Sequence, residues 1–119
     1  LSTIAPVIAV RGNNDTGAWT QNIPELETTL AVSAKQRAVE NVSIHLLHIL
    51  KELSFDPIKA NVQVVVSGHS HKPSIEEREG VLFLNPGSAG PRRFKLPISV
   101  ACLYVADITV HARIVDLAV

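Results

Sequence analysis

Two histidines one residue apart, His69 and His71, stand in Ser67-Gly68-His69-Ser70-His71, directly after the β-branched run Val64-Val65-Val66. In an extended segment, residues two apart point to the same side, so both imidazoles are expected to converge on one point, as a metal centre requires. Gly68 lets the backbone turn sharply off the strand and leaves the imidazoles at a sheet edge. An isolated His-x-His is more often a pair of surface histidines. This one is not isolated, because His48 closes another apolar segment and Asn13 closes a third. Imidazole nitrogen combined with amide or carboxylate oxygen suits zinc, manganese, nickel or iron better than calcium or magnesium. His45 and His111 lack such surroundings and are expected to be ordinary strand-surface histidines. Asn41-Val42-Ser43 matches a glycosylation sequon, a pattern common by chance, and carries no weight here.

Strands must carry these residues, and the apolar patterning supplies them. Ile4, Val7 and Ile8-Ala9-Val10 form an apolar run too short for a helix. It ends at Arg11-Gly12-Asn13-Asn14-Asp15, which predicts a buried strand feeding a loop. Residues 28–32 and 42–47 flank a polar turn at 37–41 and predict a hairpin. Asp56-Pro57 offers an N-cap and a first-turn proline for a helix that is at most short. Residues 62–66 give the clearest strand signal, with the histidine loop at its tip. Residues 74–77 and 81–84 predict two strands joined through Glu79-Gly80, followed by the loop Asn85-Pro86-Gly87-Ser88-Ala89-Gly90-Pro91. Residues 98–105 and 108–115 alternate as a final hairpin around Ala106-Asp107. No internal repeat interrupts this strand-rich, helix-poor order, and three of its strands end in loops crowded with Asn, His, Gly or Ser, where chemistry usually sits.

The 119 residues suffice for a single domain, taken as 1–119, with one core, and 46% of them are apolar against 18% charged. Lys plus Arg and Asp plus Glu both number 11, so no overall field draws in a nucleic-acid backbone or an acidic membrane. The longest apolar stretches, such as 100–106, fall short of the roughly 20 residues of a membrane helix. No segment has signal-peptide organisation. The single Cys102 cannot form an internal disulfide, fits a reducing cytoplasm, and is expected to be buried filler. Because the chain starts Leu1-Ser2-Thr3 and contains no Met, its translation start is expected upstream.

Taken in order, Val10-Arg11-Gly12-Asn13-Asn14-Asp15, Leu47-His48, Ser67-Gly68-His69-Ser70-His71-Lys72-Pro73 and Asn85-Pro86-Gly87-Ser88 resemble the motifs of the calcineurin-like metallophosphoesterase superfamily. The Asn-Asn-Asp and Asn-Pro-Gly-Ser forms are similar to those of its small single-domain phosphodiesterases. The resemblance implies an α/β fold, an α/β/β/α sandwich with a two-metal site at the strand ends, where a metal-bridging hydroxide attacks phosphorus. By the same resemblance Asn13, His48 and His69 match ligands of the second metal and His71 a ligand of the first. Asp15 matches a carboxylate that orients the loop. Asn85 and Ser88 match a loop lining the site, with contacts to ligands or substrate. Arg92 and Arg93 follow that loop and could fork onto a phosphate, with solvated surface arginines an equal alternative.

The chain departs from the family pattern in several places. The opening Asp-x-His and the following Gly-Asp, which supply most of the first metal site and the bridging carboxylate, have no counterpart. The aspartates are Asp15, Asp56, Asp107 and Asp116, and none is followed by His two places on. The N-terminal strand–helix units are therefore expected to be lacking and the two-metal centre to be incomplete. Ile49 replaces the usual Gly or Asp after the ligand histidine. Asn14 stands where many members have a His that protonates the leaving group, and an amide cannot be a general acid at neutral pH. The implied function is metal-dependent hydrolysis of phosphodiesters or related esters, using manganese, nickel, iron or zinc. The alternative is a non-catalytic interaction scaffold, as the same fold provides in the retromer coat. The expected partner is a small phosphate ester in the cytoplasm, with no membrane and no strong nucleic-acid signal, and with self-association into a homo-oligomer left open.

Overall fold

β-branched and apolar runs dominate the chain, and in the computed structural model they pair into two sheets. The structure describes residues 7–12, 24, 26–32, 38–90, 95–106 and 109–117. The strands are β1 (Leu26–Val32), β2 (Ala38–Leu47), β3 (Val64–Val66), β4 (Ser74–Arg78), β5 (Val81–Asn85), β6 (Ser99–Ala106) and β7 (Thr109–Asp116). Five of them form a mixed sheet in the order β1-β2-β3-β5-β4, while β6 and β7 form a separate hairpin. In the larger sheet β2, β3 and β5 run parallel, and the outer strands β1 and β4 pair antiparallel with their neighbours. Three strands running the same way bring their C-terminal ends, and the loops that follow, to one edge.

The pleat sends alternate residues of the central strands into two cores. On one face Val42, Val64 and Leu82, with Ile44 and Val66, pack against Leu103, Val105, Val110 and Ala112 of the β6–β7 hairpin, which makes a two-layer sandwich. On the other face Leu47, Val62, Val65 and Val81 pack with Leu50, Leu53, Phe55 and Phe83. β3 is only three residues long. Val64 and Val65 are nevertheless fully buried, and full burial of a valine is worth about 1.5–3 kcal/mol, so packing more than its ladder holds this strand. Edge strand β4, with the sequence Ser-Ile-Glu-Glu-Arg, is exposed along its whole length, and its charges disfavour pairing with another chain.

All three expected hairpins form, with shifted ends. β2 begins at Ala38, so the polar stretch 38–41 lies in a strand and not in a turn. The strand expected at 62–66 starts two residues later, because the Val62 N–H donates to Pro57 O and thereby closes the preceding turn. Around Asp56-Pro57 a single turn forms, with Asp56 Oδ1 accepting from the Ile58 N–H at 3.0 Å. A short 3-10 turn at Leu50–Glu52 was not anticipated. The expected buried strand over 4–10 is not seen where residues are described: 7–10 are irregular, and Val7 and Ile8 are about half exposed at 49% and 47%. No pairing among the described strands includes them. Cys102 is a free thiol and only partly buried, on a hairpin with one layer of packing. No helix among the described residues is long and apolar enough to cross a membrane.

Candidate metal centre at the parallel strand ends

β2 ends at Leu47 and β3 at Val66, in parallel register, so the residues that follow both strands meet at the same edge. His48 and His69 face each other there, ring centroids 5.2 Å apart at an interplanar angle of 81°. The Gly68 N–H donates to His48 O at 3.0 Å and ties the two loops together. A Cβ on Gly68 would sit 3.6 Å from His48 Nδ1, in ordinary van der Waals contact, so the His48 ring packs directly over this residue.

The alternation argument for His69 and His71 does not hold. Both have left-handed backbone, with φ of 70° and 60°, so the segment is a curled loop and not an extended strand. Such a conformation costs a non-glycine residue about 1 kcal/mol or more, and the surroundings must hold it. They do so through β5: Asn85 Nδ2 donates to Gly68 O and to Ser70 Oγ, each at 3.1 Å. Ser70 Oγ also accepts from the Lys72 N–H at 3.2 Å. Asn85 Oδ1 accepts from the Gly87 N–H at 3.0 Å. The loop after β5 is fixed in turn by Ser99, whose hydroxyl donates to Pro86 O at 2.9 Å. Gly87 has φ of 81°, and a side chain there would collide with Ser99 Oγ.

Of the candidate residues, the structure brings His48, His69, Asn85 and Ser88 to this edge. Ser88 Oγ accepts from the Gly90 N–H, and its carbonyl accepts from the Ser99 N–H. His71 lies in the same loop, with Nδ1 buried and lacking a hydrogen-bond partner. It does not complete a three-histidine cluster: no group of three His, Cys, Asp or Glu among the described residues could hold a metal ion. Asn13, Asn14, Asp15 and Arg92 lie outside the described residues. His111 is exposed on β7, as expected. His45 is not a surface histidine. It is 1% exposed on the face covered by the segment after β2, its ring edge-on to Phe55 at 4.7 Å. Burial pushes its pKa below the usual histidine value. Sequence reading missed this because Phe55 and its neighbours fold over β2 only in three dimensions. A groove at the far end of β5, lined by residues that include Asp56, Ile58, Arg78 and Phe83, holds no histidine. Its Arg78 lies over the Phe83 ring at 4.1 Å and pairs with Glu76 at 3.3 Å.

A family model for the calcineurin-like phosphoesterase superfamily domain matches residues 1–107, a span that holds every one of these loops. The chain belongs to this superfamily. It is 30% identical over 122 residues to a probable metallophosphoesterase of Methanothermobacter thermautotrophicus, a match that covers 97% of the chain and 65% of that relative. The chain thus spans just under two thirds of the relative's length. Its fold is similar to that of a predicted phosphoesterase from Streptococcus pneumoniae, with a TM-score of 0.69 at 23% identity, covering 93% of this chain and 63% of that one. It is also similar to wild-type Vps29 from Entamoeba histolytica in complex with zinc, with a TM-score of 0.64 at 24% identity, covering 92% and 68%. The fold class and the resemblance read from the motifs both stand.

Members of this superfamily use divalent metals. Two imidazoles edge to face, with a third, buried imidazole nitrogen unpartnered in the loop that follows, are nitrogen donors that fit a borderline transition cation better than calcium or magnesium.

Proposed function

We propose that this chain is the metal-binding C-terminal portion of a phosphoesterase domain that hydrolyses phosphodiesters with the help of divalent transition metals. The observation that carries the reading is the meeting of His48 and His69 at the C-terminal edge of parallel strands, with the buried, unpartnered His71 Nδ1 two residues further along the same loop. In this reading His48 and His69, with Asn13, hold one cation and His71 contributes to another. Manganese, nickel, iron and zinc all suit such ligands. The zinc complex of the similarly folded Vps29 supports the choice of a borderline metal.

A bound divalent cation supplies charge neutralisation to a phosphoryl group and acidifies water near neutral pH. The chain's own residues do the remainder. The curled His69–His71 loop fixes the direction of the imidazoles, and the backbone of the Pro86–Ser88 turn shapes the wall beside them. Arg92, which follows that turn in the sequence, is in this reading the residue that pairs with a phosphoryl oxygen. Asn14 cannot donate a proton to a leaving group, so esters with stable leaving groups, such as aryl phosphodiesters, are the favoured substrates.

Activity against bis(p-nitrophenyl) phosphate with manganese or nickel, compared with an alkyl diester and with chelator added, tests this. The 119-residue chain is expected to bind about one ion and to turn over slowly, since none of its aspartates matches a bridging carboxylate. A longer protein carrying Asp-x-His and Gly-Asp ahead of this segment is expected to hydrolyse the aryl ester readily. Metal binding with no turnover in that longer protein would replace the enzyme by the interaction scaffold. Equal rates for aryl and alkyl esters would refute the role given to Asn14.

A further inference from the structure

We propose that Asn85 is the positioning residue of the histidine loop, acting on His69 through Gly68 and Ser70 and not by contact with substrate; this rests on the reading of His48 and His69 as metal ligands. Asn85 closes β5 and is 8% exposed. Its two amide hydrogens are both committed, one to Gly68 O before His69 and one to Ser70 Oγ after it. Its oxygen takes the Gly87 N–H. Only a primary amide gives two donors at one end and an acceptor at the other: a carboxylate would turn an acceptor toward Gly68 O, which can only accept. The contacts to Gly68 O and from the Gly87 N–H fix the amide's orientation, since the flipped form would lose both and keep only the Ser70 hydroxyl, which can donate as well as accept.

The placement of these bonds gives them their consequence. His69 and His71 hold left-handed backbone that β-carbon-bearing residues avoid, so the loop needs outside contacts to remain curled. Asn85 brackets His69 from the β5 side, while the Gly68 N–H holds His48 O from the β2 side. Gly68 is therefore a link in a chain of hydrogen bonds from β2 across to β5, through the peptide groups on either side of its Cα, and the facing of His48 and His69 depends on their orientation. Asn85 is the last side chain of that link. A residue that touches substrate would need free polar atoms, and the hydrogens of Asn85 have none to spare.

The test uses the 119-residue chain with Asn85→Asp, which keeps size and shape, and Ser70→Ala, which removes one acceptor from an exposed side chain. The readouts are the imidazole proton resonances of His48 and His69 without metal, nickel affinity by calorimetry, and thermal unfolding. Edge-to-face rings shift each other's resonances, so loss of the arrangement moves both signals, while Tyr104 and His111 serve as an internal reference. Asn85→Asp is expected to shift the His48 and His69 signals, leave the reference pair in place, and weaken nickel binding by about 10- to 100-fold. Ser70→Ala is expected to do the same to a smaller degree, and it decides the question if Asn85→Asp does not fold. Wild-type ring resonances in a folded variant would overturn the proposal. If the wild-type chain binds no nickel, the metal reading fails, and the ring resonances alone then decide the role of Asn85.

Discussion

Tyr104 and His111 stack at 4.9 Å, and His48 and His69 meet at 5.2 Å, yet the two pairs are built by different means. The first is a consequence of register: Tyr104 and His111 are direct partners across the β6–β7 hairpin. Forming that hairpin is enough to make the contact, and both rings stay exposed. The second joins the ends of two parallel strands that no short turn connects. It needs the β2–β3 pairing, the Gly68 N–H bond to His48 O, left-handed backbone at His69, and Asn85 bracketing the loop. A pair made by register is robust and locally specified. A pair made by convergence is fragile and sits where the strand ends open a place for a ligand.

Perturbations should therefore separate the two regions, most sharply in metal binding. His69→Ala is expected to weaken nickel binding by more than about 100-fold, beyond the usual effect of a supporting residue, while His111→Ala leaves it unchanged. Calorimetric titration of both variants measures this, and equal effects would dissolve the distinction. Next comes a comparison of two glycines with the same φ of 81°. Gly87→Ala, in the convergent region, meets Ser99 Oγ and is expected to cost about 2 kcal/mol or more, whereas Gly80→Ala, at the β4–β5 turn with nothing near it, costs about 1 kcal/mol. Urea denaturation distinguishes them, and similar values would mean that the loop after β5 yields easily.

His45 gives a pH effect of known sign. Burial lowers its folded-state pKa from 6.5, so below that value the unfolded chain binds more protons than the folded one. The stability of neutral His45 is present in full above its unfolded-state pKa and is lost progressively as the pH falls from there through the folded-state value. Urea midpoints measured between about pH 5 and 8 should drop on the acid side, and less so in His45→Leu. Identical pH profiles would show that the ring is not shielded. The smallest expected effect is in the register-made pair, where His111→Ala removes one cross-strand contact and costs about 0.5 kcal/mol. A loss several times larger would mean that the hairpin depends on this stack.

Much of the fold was legible. Alternating or β-branched runs marked β1 to β7 to within a few residues, because a strand's preference is written in its own side chains. The motif order from Leu47-His48 to Asn85-Pro86-Gly87-Ser88 pointed to the superfamily that the family model matches. Val7 and Ile8 were misread because apolarity states a preference for burial without supplying the neighbour that buries.

What the sequence determined by itself was the set of strands, the chemistry of the loops at their ends, and the family. The tertiary structure decided which loops share an edge, since period-two patterning tells which residues share a face of one strand and not which strand lies beside it. It put His45 inside, because a histidine on a strand reads the same whether or not another segment folds over it. It curled the His69–His71 loop and gave Asn85 to the backbone of that loop. Those hydrogen bonds link residues 15 and 17 positions apart, and a contact between distant segments leaves no periodic trace in either.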